Sequence, residues 1–260
     1  MTIAIFGRMV AAELLKLRRR YSIIAIAAFF TIGVIVLYFG VSALEHASNG
    51  VKNGPAGGLH NFERAVTLLS VFFGSLTAIL IGVEAGTLDV SSGVFRDLVV
   101  TGRSRLWLFA VRLPAALIVT LSLVLVALGL SIVATFGFAD GLPTPSGALI
   151  AESIVWVLVA QAVICTIAVG LASLTGSRAG ALTGMIGWQV IASRLLVGIS
   201  FLGSARDAIP NVALGALKPG QALQDTNSLT MGIALAVIVL AAWVVVWFAL
   251  GAWRTRTMDA

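Results

Sequence analysis

Residues Glu84–Pro114 read EAGTLDVSSGVFRDLVVTGRSRLWLFAVRLP. This polar, glycine-punctuated stretch holds four basic residues, Arg96, Arg103, Arg105 and Arg112, yet it separates two runs greasy enough to cross a bilayer. Unpartnered polar groups are costly in hydrocarbon, so such an island belongs in water or against another protein.

The composition agrees. Of 260 residues, 59% are hydrophobic and 11% charged, whereas a soluble domain carries about a quarter charged residues. Too few polar groups remain to cover a globular surface, so lipid must solvate much of the chain. The sequence pI of about 10.4 does not point to nucleic acid. The cations gather beside apolar runs, as topology determinants do, rather than on one basic face.

About 20 apolar residues at 1.5 Å each cross about 30 Å of hydrocarbon. Six runs qualify: 22–44, 65–83, 107–136, 150–175, 180–202 and 229–250. Trp107 anchors the start of the third, and Pro114 near its first turn removes a backbone donor and favours a kinked entry. Before the first run, Ile3, Phe6, Val10, Leu14 and Leu17 recur at helical spacing, with Arg8, Lys16, Arg19 and Arg20 on the other side of the wheel. That pattern predicts an amphipathic helix in the membrane interface, and the same cations serve as a basic flank that sets orientation.

The loops distribute Lys and Arg unevenly. Twelve lie before span one, between spans two and three, between four and five, or after six; the other loops hold Lys52, Arg64, Arg206 and Lys218. By the positive-inside rule both termini are cytoplasmic. The expected fold is therefore an all-α integral membrane protein: an entry helix over 1–21 and a six-span transmembrane domain over 22–260. The cytoplasmic loop covers about 84–106. On the outer side, Pro210 and Pro219 bracket the apolar Val212–Leu217, which predicts short re-entrant helices within about 203–228.

Chemistry-bearing residues are sparse. Cys165 is the one cysteine, which excludes intrachain disulfides and cysteine-based metal sites. His46 and His60 share a loop with Glu45 and Glu63 but lack metal-ligand spacing. There is no HExxH, GxSxG or GxxxxGK[ST], so no catalytic residue, cofactor site or metal site is assigned, and any nucleotide is bound by another chain. Arg194 is essentially the one charge in the interior of a span, Arg112 and Glu152 falling near the ends of theirs; it snorkels or pairs with an outer acid such as Asp207, or else it touches cargo. Gln161 and Gln189 fall at mid-depth, where they either bond each other or line a passage with Arg194.

Within the island, Val90, Val94 and Leu98 are spaced by four with Phe95 and Val99 beside them, giving an apolar stripe on a short helix. Asp89 suits its N-cap, and Gly102 suits the left-handed position after its end. Such a helix either rests on headgroups or docks into a partner.

Here the sequence resembles the permeases of the ABC-2 family. Glu84-x-Gly86-Thr87-Leu88, then Leu98 and Thr101-Gly102-Arg103-Ser104-Arg105, then Arg112 opening a long span, follow that family's order, and Glu13-Leu14-Leu15-Lys16-Leu17-Arg18-Arg19-Arg20 is similar to its entry helix. The Ser/Gly-rich run DVSSGVFRD departs from the family pattern. The resemblance implies a half-transporter in the inner (plasma) membrane, paired with a second permease copy as a homo- or heterodimer. Two ATP-binding cassette subunits would hold the ATP and Mg. It further implies that Glu84, Gly86, Thr87, Val94, Phe95, Arg96, Leu98, Gly102, Arg103 and Arg105 form the coupling contact. Arg178, in the turn between spans four and five, would add a smaller contact, and 204–225 an outer gate. The expected function is export of a hydrophobic or amphipathic compound. The competing expectation, a self-contained secondary transporter or channel, calls for a mid-membrane ionisable network that the sequence does not display.

Overall fold

The computed structural model describes residues 3–94, 97, 100, 102, 104–220 and 231–257. Among these the chain is all helix and turn, with no strand. Helix α1 spans Ile3–Arg18. Six helices are long and apolar enough to cross a membrane, as in a multi-pass membrane protein: α2 (Tyr21–Ser48), α3 (Gly58–Ser91), α4 (Arg105–Gly137), α5 (Gly147–Thr175), α6 (Arg178–Gly198) and α8 (Ile233–Thr257). Between the last two lie 3-10 turns at Ser200–Ala208 and the short helix α7 (Pro210–Ala216).

Local chemistry sets the boundaries. Ser104 and Ser146 cap α4 and α5 by accepting from the amides of Trp107 and Leu149. Helix α5 ends at Gly176, whose φ of +63° needs a residue without a Cβ. Ser177 at once caps α6 by accepting from the Gly180 amide, so the α5–α6 turn is very tight. Pro210 sits in the first turn of α7, where its missing N–H costs nothing. The entry to α4 is loosened, as the proline predicts: a turn at Val111 separates Arg105–Ala110 from Arg112–Gly137, just ahead of Pro114.

Helices α3 and α5 form the buried centre, and their contact depends on small residues. A Cβ on Gly82 or Gly86 would come within 2.8 Å or 2.6 Å of the Ala168 or Ala172 Cβ. On the other side of α5, a Cβ on Gly170 would sit 2.3 Å from the Trp247 carbonyl of α8. Such close backbone approach is how apolar helices gain dispersion contact without a hydrophobic drive in lipid. By contrast α6 and α8 expose long apolar faces, Val190, Ile191 and Leu195 on one and Leu235, Ile238 and Val245 on the other. Phe6 meets Trp107 edge-on and Arg105 Nη1 donates to the Arg256 carbonyl. The two chain ends therefore lie at the same end of the bundle, termed here the Glu84 end.

The main departure from expectation is α3. The sequence predicts a span over 65–83, but the helix runs on through Glu84 to Ser91. Its extra turns are polar in type and buried in fact: Glu84, Thr87 and Asp89 are each at most 3% exposed.

Candidate functional site

Burying Glu84 and Asp89 requires partners, and these come from four other places in the bundle: α1, the start of α2, α4 and α6. Asp89 Oδ2 accepts from Arg112 Nη2 of α4 at 3.1 Å, and its Oδ1 accepts from Lys16 Nζ of α1 at 2.8 Å. Lys16 also donates to Glu13 Oε1, one turn back on α1, at 2.6 Å. Arg112 Nη1 donates to the Gly86 carbonyl at 3.1 Å, and Ser173 Oγ of α5 donates to that same carbonyl at 3.3 Å. Glu84 lies between two guanidiniums: Arg20 Nε, just before α2, is 3.5 Å from Oε1, and Arg178 Nε, opening α6, is 3.1 Å from Oε2.

Seven charged side chains thus form one layer across the Glu84 end. Three are acids (Glu13, Glu84, Asp89) and four are bases (Lys16, Arg20, Arg112, Arg178). The buried members are the acids and Arg112; Arg20 and Arg178 remain about half exposed. Because a buried charge is stable only when paired and hydrogen-bonded, the layer binds α1, α2, α3, α4 and α6 into one unit.

On α1, burial and the nearby Asp89 carboxylate raise the Glu13 pKa above its ordinary value, against the attraction of Lys16 and Arg112. Burial tends to lower the Lys16 pKa, but its bonds to Asp89 and Glu13 outweigh that and raise it. The ammonium is held firmly between two carboxylates, while the Glu13 carboxylate is held under protest from its surroundings.

Several expectations need correction here. Glu84, Gly86 and Thr87 do not lie on a partner-facing surface: Gly86 packs on Ala172, Thr87 donates to the Val83 carbonyl, and Glu84 is ion-paired inside the bundle. Asp89 caps no following helix, being inside α3. Val94 is exposed and Gly102 adopts φ +78°. Arg105 starts α4. Phe95, Arg96, Leu98 and Arg103 lie outside the described residues.

Gln161 and Gln189 do not bond each other. Gln161 Nε2 donates to the Leu69 carbonyl at 2.9 Å and Gln189 Nε2 to the Val71 carbonyl at 3.4 Å, both on α3. Both side chains are buried; Gln161 is held inside the bundle, whereas Gln189 also lines a cleft on the other side of α6. Arg194 does not pair with Asp207; its guanidinium lies 4.5 Å above the centre of the Phe72 ring, an arrangement that offsets part of the cost of a cation in apolar surroundings. No group of three or more metal-ligating side chains occurs among the described residues. His46 instead faces the Asn53 carbonyl and Asp140.

Sequence reading missed Glu13, Lys16, Asp89 and Arg112 as members of the layer. The available signal was weak: Glu13 and Lys16 at i,i+3 on one helix face, and a lone arginine two residues ahead of a proline in an apolar run. A second feature was legible only through Gln189. A cleft of about 250 Å³ lies between α5, α6, α7 and α8, walled by Trp188, Gln189, Trp243, Trp247, Ile167 and Asn211.

No family model matches this chain, and no curated protein matches it.

Proposed function

We propose that this chain is the transmembrane subunit of an ATP-driven transporter of the ABC-2 type, seated in the inner (plasma) membrane with both termini cytoplasmic. It pairs with a second permease copy and with two cassette subunits that bind ATP and Mg, and it exports a hydrophobic or amphipathic compound. The observation that carries this reading is the position of Glu84. It sits at the joint of the entry helix, the second span and the α5–α6 turn, so that a push on the segment 92–104 reaches three spans at once. Two further facts support it: the 12-to-4 distribution of loop cations, and the tryptophan-walled apolar cleft, whose lining suits a greasy cargo.

In this mechanism the protein supplies no chemistry to the nucleotide. ATP-driven closure of the cassettes displaces the loop after α3; the buried ion pairs transmit that displacement because breaking one would strand a charge in apolar surroundings. The spans then repack as semi-rigid bodies and expose the passage to the other side.

The test is co-expression with an ATPase chain carrying GxxxxGK[ST]. The isolated membrane chain should hydrolyse no ATP, and the ATPase should co-purify with it. Phe95→Asp or Leu98→Asp should abolish co-purification and transport while leaving insertion intact. ATP hydrolysis by the isolated chain, or co-purification and transport unchanged by both substitutions, would overturn the assignment.

A further inference from the structure

Three spans each abandon α-helical bonding once, at the same level. In α2 the Val34 amide reaches five residues back to the Phe29 carbonyl. In α3 the Phe73 amide does the same to Leu68, and in α6 the Ser193 amide to Trp188. Counted from the ion-paired layer at about 1.5 Å per residue, Arg20 to Phe30, Glu84 to Phe73 and Arg178 to Gln189 are each about 15–17 Å. Direct contacts agree: the Phe30 and Phe73 rings stack at 6.2 Å, Thr77 Oγ1 of α3 donates to the Ala27 carbonyl of α2, and Gln189 of α6 reaches Val71 of α3.

The π turns loosen carbonyls that an α-helix would keep. In α3, Phe72 takes φ −111° and ψ −88°, well away from helical values. The carbonyls around it are caught from outside the helix ladder, Leu69 and Ser70 by Gln161 of α5, and Val71 by Gln189 of α6. Hydroxyls serve others: Ser75 takes Phe72, Thr31 takes Ala27, and Ser193 takes Gln189. Gly74 is obligatory for this geometry, because a Cβ there would lie 1.9 Å from the Leu69 carbonyl oxygen. The Gln161 amide is held from one side, since its Oε1 is buried with no donor among the described residues.

We infer that these turns form a hinge plane: the distal halves of α2, α3 and α6 pivot against proximal halves locked by the Glu84 layer, with Gln161 as the latch on α3. Side-chain amides are suited to the task. They satisfy freed carbonyls in a dry interior, yet a rotamer change releases them more readily than a regular helix releases its ladder. A change of about 20° in the bend at Phe72 would carry the Gly58 end, about 21 Å away, by about 7 Å. The inference concerns this chain alone and stands whether or not a cassette drives it.

Pulsed electron-spin distance measurements on the full chain in nanodiscs test it, with Cys165→Ala removing the native thiol. A distal label pair, His60→Cys with Leu195→Cys, should give a distribution spread over about 6 Å. A proximal pair, Ser91→Cys with Thr183→Cys, should stay narrow. Gln161→Leu should broaden the distal distribution and leave the proximal one unchanged, and Gly74→Ala should shift the distal mean. If Gly74→Ala fails to insert, Gln189→Leu replaces it with the same expected direction as Gln161→Leu. Equal widths for both pairs that Gln161→Leu leaves unchanged would overturn the hinge. So would equal broadening of both, which marks general loosening instead.

Discussion

Arg112 Nη2 and Asp89 Oδ2 lie 3.1 Å apart in a site where neither side chain retains more than 3% of its exposure. Each therefore protects the other from isolation in apolar surroundings, Asp89 with Lys16 as a second partner at 2.8 Å. Removing one partner of a buried pair costs about 3–5 kcal/mol, whereas replacing both with apolar groups is often neutral. We predict that Arg112→Met and Asp89→Leu each lower unfolding stability in SDS titrations by about that amount, while the double variant recovers at least half of the loss. Additive losses would show that the two act separately.

The α1 residues give a prediction with opposite signs. Lys16 has a raised pKa, so its stabilisation is fully present below the ordinary value of 10.5 and is lost as pH climbs through the raised value. Glu13 also has a raised pKa, which for an acid means the folded state favours the protonated form. Its contribution is therefore best below 4.5 and declines as pH rises through the window above that value. At neutral pH, Lys16→Met should lower the melting temperature in nanodiscs, whereas Glu13→Gln should leave it unchanged or raise it. The fall in melting temperature above pH 10.5 should be absent in Lys16→Met. A Glu13→Gln variant less stable than Lys16→Met would reverse this account.

The reason the sequence disclosed the six spans but not the charged layer is visible at Glu84. Hydropathy is a local sum, and a run such as 229–250 declares itself without reference to the rest of the chain. A carboxylate lowers that sum wherever it occurs, so hydropathy ends the second span at Val83. Whether Glu84 and Asp89 face water depends on cations 64, 73, 23 and 94 positions away, at Arg20, Lys16, Arg112 and Arg178. No periodicity encodes that pairing. Gln161 and Gln189 illustrate the same limit. Their depth was readable, but their partners are carbonyls freed by a π turn, and a backbone irregularity leaves no mark in side-chain pattern. Gly102, by contrast, was readable because glycine at a left-handed position is a local necessity, and its φ is +78°.

Packing at Gly170 offers a prediction free of electrostatics. A Cβ there would lie 2.3 Å from the Trp247 carbonyl, and a Cβ on Gly251 of α8 would in turn lie 2.9 Å from the Gly170 carbonyl oxygen. The obstruction is backbone, which cannot rotate aside. Gly170→Ala should therefore separate α5 from α8 and destabilise the bundle by about 1–3 kcal/mol, the usual cost of overpacking. Gly129, with open space around its Cβ position, should accept alanine without loss. SDS unfolding of the two variants side by side checks the contrast.

The last prediction concerns the joint itself. Glu84 contributes one carboxylate to two cations that belong to different moving parts, Arg20 ahead of α2 and Arg178 at the head of α6. Both arginines stay about half exposed, so solvent screens them and neither pair contributes much to stability alone. Glu84→Gln keeps the shape and hydrogen-bonding capacity but removes the charge. It should change the melting temperature little, far less than Asp89→Leu does. If the layer transmits motion in a cassette-driven transporter, however, the same substitution should lower ATP-dependent transport by about tenfold, equivalent to about 1.4 kcal/mol. Cassette co-purification should be retained. Arg178→Gln should lower transport in the same direction, and the double variant should be no worse than the single one, because both remove the same link. Normal transport by Glu84→Gln would leave the layer a purely structural clamp, and loss of co-purification would place Glu84 in assembly rather than in coupling.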